Sequence, residues 1–177
     1  MKLAQASIIE AIYTLLTYKV QAGDTVYPYE LSYVQRVLND GGTLELSTCF
    51  TDVSELSSTI PVYTSESPDF SADAYIYIYP ISQQETGPQD EFIYDCSVSI
   101  KCAIANNDGV VSVRDVNKLG NTVAEIMQPT TFDTITVTGF NVITQQIQSV
   151  NYVEPLLNGS RYEFSVTMDW LVRVASL

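Results

Sequence analysis

The sequence has no histidine, and only eight of its 177 residues are lysine or arginine, against 21 aspartates and glutamates. Without histidine the chain has no Ser-His-Asp triad, and it lacks the side chain that most often serves as general base or metal ligand. No cluster of basic residues offsets the net charge of −13. The chain is therefore a poor candidate for binding nucleic acid, which depends on neutralising phosphates.

Cysteine is also scarce, because Cys49, Cys96 and Cys102 make an odd number and no CxxC pair occurs. Cys96 and Cys102 lie six residues apart on one predicted strand, which separates them by roughly 20 Å. That distance is too long for a disulfide. With no histidine to complete a ligand set, a structural zinc site is not expected. We interpret all three as buried thiols in a reducing compartment.

Long apolar runs are missing, so no segment is expected to span a membrane. The first residues lack the apolar core of a signal peptide, which predicts a soluble protein that stays where it is made. The hydrophobic fraction of 46% is typical of globular proteins. At this length we predict one domain, residues 1–177, with a surface excursion at 43–73. Its part from 51 to 73 is rich in Ser, Thr and acid, and is predicted to be a protruding loop or hairpin.

The clearest pattern that is present runs from Arg161 to Val174, where apolar and polar residues alternate. Period-two alternation predicts a strand with one buried and one solvated face. The even-numbered apolar residues from Tyr94 to Ile104 follow the same pattern and predict a neighbouring strand. Trp170, the only tryptophan, is interpreted as the largest anchor of the core.

Two helices are predicted from three- and four-residue apolar spacing, at 3–20 and 112–127. The second has Ser112 as N-cap, Asp115 in its first turn and Pro129 after its end. Gly120 on its apolar face allows close approach to the sheet. The predicted fold class is α+β, an antiparallel or mixed sheet packed by the N-terminal and central helices.

The remaining segments are assigned from strand and turn signals. A hairpin is expected from strands at 74–81 and 92–105, with a polar turn between them. The polar stretch 144–149 is interpreted as an edge strand, a hairpin arm or a subunit contact. The other predictions are a helix at 30–38, a strand at 43–50, strands at 131–138 and 140–153 with a bend at Gly139, and a turn at Pro155 and Asn158-Gly159.

No residue is predicted to be catalytic, cofactor-binding or metal-binding, because no recognised motif is present. Acidic residues could in principle act in pairs as hydrolases require, and the tightest group is Asp90, Glu91 and Asp95. Its place at the start of a strand favours simple solvation. Asp169 is expected to pair with Arg173 or a neighbouring lysine, or to meet another subunit.

Other candidate residues are also explained by structure. Asp115 and Glu125, on a predicted helix, are explained by capping and solubility. The stripe of Tyr75, Tyr77 and Tyr79 could stack on sugars or bases. One face of a half-buried sheet explains the same stripe more simply.

The order of elements resembles that of the tail terminator (tail completion) proteins of long-tailed bacteriophages. The resemblance rests on the helix at 7–13, the hairpin at 75–104, the helix at 112–119 and the strand at 161–174. It is a likeness of element order rather than of a diagnostic motif. Residues 25–73 are longer and more irregular than that family leads us to expect.

The resemblance implies a non-enzymatic virion protein that needs no cofactor and forms a homo-oligomeric ring, expected to be a hexamer. Such a ring caps the tail tube, ends its polymerisation and docks the head. The implied partners are the tail-tube protein and a head-completion or connector protein. The implied location is the head-proximal end of the tail, after assembly in the host cytoplasm. Genomic DNA would pass through the acidic lumen without specific binding.

Three alternatives remain open from the sequence. One is another phage neck, head–tail connector or baseplate ring protein. The second is a small ligand-binding or hydrolytic α+β domain, with the tyrosine stripe or an acid pair as its site. The third is a cytosolic α+β domain of unrelated function.

Overall fold

The computed structural model describes residues 3–17, 20–22, 25–27, 62–64, 74–87, 92–106, 113–128, 130–158 and 161–177. In chain order these residues form α1 (Ala4–Thr17), β1 (Val20–Ala22), β2 (Thr25–Tyr27), β3 (Val62–Tyr63), β4 (Ala74–Glu85), β5 (Ile93–Asn106), α2 (Val113–Met127), β6 (Phe140–Asn158) and β7 (Arg161–Ser176).

Five of these strands form one mixed sheet in the order β3-β4-β5-β7-β6. β3 is parallel to β4, whereas the other neighbours are antiparallel. β1 and β2 pair with each other as a separate two-stranded sheet. The two helices and the mixed sheet confirm the predicted α+β class.

The centre of the sheet is the β5–β7 pair, as the two matching alternations predict. Trp170 lies opposite Val98, and Met168 lies opposite Ile100. Directly opposed residues share one face of an antiparallel sheet, so the even-numbered apolar residues of both strands form one surface. Trp170 is fully buried on that surface, which confirms its role as a core anchor.

Both helices cover this apolar surface. α1 contacts β4 and β5, while α2 contacts β5 and β7. α1 buries Ala4, Ile8, Ile12 and Leu16 against the sheet. At the start of α1 the Gln5 side chain donates to the carbonyl of Ser97 (2.7 Å), and its backbone N–H donates to Gln83 Oε1 (3.1 Å). The second bond satisfies one of the amides that a helix start leaves without an intrahelical partner.

Gly120 lies on the side of α2 that packs against β7. A Cβ at this position would lie 2.9 Å from Val166 Cγ1, closer than two carbons can sit without a shift. The close packing predicted for Gly120 is confirmed. It brings α2 down onto the Trp170 strand.

The predicted strand at 131–138 is wrong, although its burial alternates. Ile135 and Val137 are buried between exposed threonines, but the segment joins no strand. The Gln145 side chain takes the place of a neighbouring strand, since its Oε1 accepts from the N–H of Ile135 (2.8 Å) and its Nε2 donates to the carbonyl of Met127 (3.1 Å). Gly139, with φ of +80°, makes the predicted bend before β6.

Three element boundaries also differ from prediction. β4 continues through Pro80 to Glu85, with a register shift between Pro80 and Ser82, so residues 82–85 are strand rather than turn. α1 ends at Thr17, and Val20, predicted as helical, starts β1. Pro155 lies at a register shift inside β6 rather than in a turn.

Several predictions lie outside the described residues. They concern the helix at 30–38, the strand at 43–50, Cys49, the turn after Asn106, Ser112 and most of the excursion at 43–73. Within that excursion β3 is described, and it pairs with Ile76 and Tyr77 of β4. The single-domain assignment remains a prediction.

Candidate functional site

The most conspicuous surface of the sheet is its β6 edge. β6 runs for 19 residues and pairs with β7 on one side. On its other side the described residues place no strand. An edge strand presents a row of backbone N–H and C=O groups that can pair with another chain. The stretch 144–149 lies in β6, so among the described residues it belongs both to an edge strand and to one arm of the β6–β7 hairpin. That it contacts another subunit stays a prediction.

The side chains of β6 are largely apolar and exposed in its second half. Val150 faces Met168 and Tyr152 faces Val166 across the pair, so both point to the same side of the sheet as the helices. Their exposed fractions are 44% and 60%. Ile147, Val153, Leu156 and Leu157 are also exposed. The apolar surface therefore extends past the part of the sheet that the helices bury.

Charge is nearly absent from this edge. Charged residues make up 16% of the chain, yet Glu154 is the only one among the 19 residues of β6. Soluble proteins commonly protect edge strands with lysine or other charges. β6 has no lysine, and its irregularities are three register shifts, between 142 and 144, 147 and 149, and 153 and 156.

The face of the sheet opposite the helices carries a polar cluster around Tyr75. Lys101 Nζ lies 2.7 Å from Glu163 Oε1 and donates to Tyr75 Oη (2.9 Å), which in turn donates to Glu163 Oε1 (2.9 Å). The ammonium also lies 5.3 Å from the centre of the Tyr75 ring, within the range of a cation–π contact. These side chains link β4, β5 and β7.

The predicted tyrosine stripe is not one continuous stacking platform. Tyr75 is 1% exposed, and its hydroxyl is hydrogen-bonded within the cluster. Tyr77 and Tyr79 are half-buried and lie against each other, with ring centroids 5.1 Å apart. The simpler prediction, one face of a half-buried sheet, is the one that the structure supports.

Of the predicted group of acidic residues the structure describes Asp95, whereas Asp90 and Glu91 lie outside the described residues. Arg173 holds both carboxylate oxygens of Asp95, through Nε to Oδ1 (2.6 Å) and Nη2 to Oδ2 (2.8 Å). These hydrogen bonds, with the charge of Arg173, keep the pKa of Asp95 below its ordinary value. A carboxylate held in this way is poorly suited to act as a general acid.

The predicted pairing of Asp169 with Arg173 is wrong. Asp169 instead accepts from the hydroxyls of Ser99 and Ser149, each at 2.7 Å. Ser99 and Ser149 lie directly opposite Asp169 on the two neighbouring strands. Arg173 is four residues further along β7, opposite Asp95, and so bonds to that carboxylate.

Asp115 and Glu125 differ in their surroundings. Asp115 occupies the first turn of α2, where an acid complements the helix dipole. It is 1% exposed, so the prediction that it serves solubility is wrong. Glu125 is exposed, as a solubilising residue should be.

Cys96 and Cys102 are both buried and form no disulfide, as predicted. Burial raises the pKa of Cys96 to about 11 and that of Cys102 to about 12. A thiol with a raised pKa carries little thiolate and is a weak nucleophile or metal ligand. In the described part of the chain, no three acidic or cysteine side chains lie close enough to hold a metal ion. None of the described helices is long and apolar enough to cross a membrane.

We expect stability to fall as the pH rises above about 9. Burial raises the pKa of Tyr75 from 10.0 to about 12, so the folded protein keeps this proton after the unfolded chain has lost it. Stability from Tyr75 is complete below about pH 10 and is lost towards pH 12. Cys96 and Cys102 act in the same direction from their ordinary value of 9.0.

Urea unfolding at pH 8, 10 and 11.5 measures this loss. Tyr75→Phe removes one of the contributing groups, so its stability should fall less steeply between pH 10 and 11.5 than that of the wild type. A wild-type stability that stays constant from pH 8 to 11.5 would contradict the prediction.

Exposure of residues 150–157 had no direct sign in the sequence, because most of these side chains are apolar, like those of buried strands. The signal that was available is the lack of charge from Phe140 to Val153. The lack of charge distinguishes β6 from an ordinary solvated edge strand. It does not show on which side β6 lacks a neighbouring strand. That information comes from the strand order.

Sequence comparison gives no match to a protein family or to a curated protein. In fold, the chain is similar to a chain in the solved structure of the virion of a native gene transfer agent (GTA) particle, with a TM-score of 0.61. The alignment covers 99% of this chain and 100% of that one, at 7% sequence identity. This chain therefore shares the fold of a chain from a virion particle.

Proposed function

We propose that this chain is a structural virion protein that assembles into a ring and acts as a tail terminator. In this role the ring caps the tail tube, ends its polymerisation and provides the docking surface for the head. A hexamer is the expected ring. Its partners would be the tail-tube protein and a head-completion or connector protein.

The observation that carries this proposal is the open β6 edge, with its exposed apolar side chains and its single charge. A chain with a net charge of −13 repels copies of itself over most of its surface. Self-association is least opposed where the charge is absent. β6 combines that absence with exposed apolar side chains and with an edge beside which the described residues place no strand, the features of a surface that pairs.

A ring also needs a second, different surface, since each copy must use one patch to contact its neighbour's other patch. β4 supplies a candidate at the opposite edge of the sheet. β3 pairs with β4 at Ile76 and Tyr77, and beyond them the described residues pair no strand with the outer edge of β4. That part, Ile78–Glu85, contains one charged residue, Glu85. Contact between β6 and β4 of adjacent copies would continue the sheet from one copy to the next.

The virion assignment is supported by the shared fold and by the element order that resembles tail terminators. The acidic balance suits a lumen through which DNA passes without binding. Asp95 and Glu163 are engaged with Arg173 and Lys101, and Asp169 with two serines. These contacts favour a structural role over hydrolysis.

We expect Val150→Asp to weaken ring assembly by at least tenfold. Val150 is 44% exposed, so the fold should tolerate the change, but pairing of the edge would bury an unpaired carboxylate. Val113→Asp is the matched control: Val113 is 48% exposed, far from β6 in the sequence, and its place at the start of α2 favours an acid. Native mass spectrometry over a dilution series measures both.

The wild-type chain should form a closed ring, alone or on addition of tail-tube protein, and should limit tube length when added during polymerisation. Electron microscopy of the tubes separates a terminator from a connector or baseplate ring, which would not stop growth at the head-proximal end. A chain that stays monomeric with and without tail-tube protein overturns the proposal. Equal assembly of the two aspartate variants would show that β6 is not the contact.

A further inference from the structure

A groove of about 680 Å³ lies between α1 and the segment that leads into β6. One wall is α1, and the other is the segment 133–138 that lies between α2 and β6. Ile126 and Met127, at the end of α2, line it between the walls. Its volume is within the range of sites that take small ligands or a few residues of peptide.

The residues that line each wall recur at nearly the same spacing. Along α1, Ser7, Ala11 and Leu15 line the groove at four-residue steps, which are roughly 6 Å each along a helix axis. Along the other wall Thr134, Thr136 and Thr138 line it at two-residue steps, roughly 6.6 Å each in extended chain. An extended peptide has the same two-residue repeat, so its alternate side chains recur at the spacing of the lining residues on each wall.

The groove is lined by apolar side chains together with acidic and hydroxyl groups. Leu15, Met127 and Ile135 provide apolar surface, while Glu10 and Asp133, one on each wall, provide carboxylates. Both carboxylate residues are exposed. A segment that places apolar side chains between the walls and a positive charge near each carboxylate would complement this arrangement.

We propose that this groove binds an extended segment of another protein, apolar at alternate positions and with lysine or arginine at its ends. The chain's own copies are poor occupants, because it has eight basic residues against 21 acidic ones. An extended segment recognised between a helix and an extended wall uses a general mode of peptide binding. The proposal does not depend on ring formation, since every lining residue comes from one copy.

The test uses the full-length chain and a fluorescently labelled peptide, Arg-Thr-Val-Thr-Val-Arg, with blocked ends. Fluorescence anisotropy measures its binding, and NMR methyl shifts of Met127 and Ile135 locate it. We expect saturable binding, with methyl shifts at Met127 and Ile135 and none at Val150. The acidic counterpart, Glu-Thr-Val-Thr-Val-Glu, should bind at least tenfold more weakly.

Two variants test the site itself. Glu10→Lys with Asp133→Lys should weaken binding of the basic peptide at least tenfold and favour the acidic one. Thr136→Trp, a change at an exposed position, should block the groove without altering its charge. Glu125→Lys, on an exposed position of α2 outside the groove, controls for bulk charge and should bind as the wild type does.

Three results would overturn the proposal. They are no binding of the basic peptide at millimolar concentration, equal weakening by Glu125→Lys, and equal binding of a peptide with the two valines replaced by glycine. None of them bears on the β6 edge, because ring assembly is measured separately through Val150→Asp.

Discussion

Trp170→Ala is expected to destabilise the fold by about 3–5 kcal/mol, the cost of truncating a large aromatic side chain in a packed core. Trp170 is fully buried in the middle of β7, between Val98 on β5 and Ile147 on β6. Its loss leaves a cavity beneath the helices, where neither neighbouring strand can move inward without breaking its ladder. For a domain of ordinary stability this is a large part of the free energy of unfolding.

Trp170→Phe separates ring volume from the indole N–H. Trp170 Nε1 is buried, and the described residues offer it no hydrogen-bond acceptor. Phenylalanine removes that unsatisfied donor while keeping an aromatic ring, so we expect a loss below about 1.5 kcal/mol. Tyr152→Ala, at a site that is 60% exposed, should change stability by less than about 0.5 kcal/mol.

Urea unfolding followed by far-UV circular dichroism measures all three variants, since it does not depend on tryptophan fluorescence. Each should be measured at two protein concentrations, because ring formation would add to the apparent stability. A loss below 1 kcal/mol for Trp170→Ala would show that the cavity collapses and that Trp170 does not anchor the core.

The β5–β7 pair could be predicted from sequence because its signal is local. Each strand shows a period of two over more than ten residues, and both carry their apolar residues at even positions. The segment at 131–138 shows the same alternation, yet it is not a strand. Burial alternates there as it does along a strand, but the hydrogen-bond partner of Ile135 is a side chain, Gln145. Alternation reports which residues are buried and not what the backbone pairs with.

The polar contacts of the sheet could not be predicted, since they depend on register between distant segments. Lys101 and Glu163 are 62 residues apart in sequence, and Asp95 and Arg173 are 78 apart. The pairing expected for Asp169 used the nearest basic residue on its own strand, whereas the sheet places serines beside it.

The open edge is likewise a property of strand order. The sequence left an edge strand, a hairpin arm or a subunit contact open for 144–149, whereas most of the exposed apolar residues of β6 lie further along it. Apolar spacing led to the correct fold class, and the resemblance of element order suggested a ring. The surface that could form it became identifiable only once β6 was placed outside β7.

A second large loss of stability is expected when the Lys101–Glu163 pair is broken. This pair lies on the face of the sheet opposite the helices. The side chains of Lys101 and Glu163 are 24% and 12% exposed, so both charges are largely removed from water. Lys101→Met leaves the Glu163 carboxylate without its counter-charge, 2.9 Å from the hydroxyl of Tyr75. Removing one member of a buried pair is strongly destabilising. Breaking a buried pair in this way costs about 3–5 kcal/mol of stability. We expect a loss of about 3 kcal/mol here, because both side chains keep some contact with water.

A double-mutant cycle shows whether this cost arises from the stranded charge. Lys101→Met combined with Glu163→Gln removes both charges and leaves an amide that can still accept from Tyr75, so most of the lost stability should return. The coupling between the two sites should exceed about 1 kcal/mol. Arg173→Met, at a pair whose arginine is 43% exposed, should cost less than Lys101→Met because water screens the remaining carboxylate. Additive losses at Lys101 and Glu163 would mean that the two residues stabilise the sheet through their packing rather than through their charges.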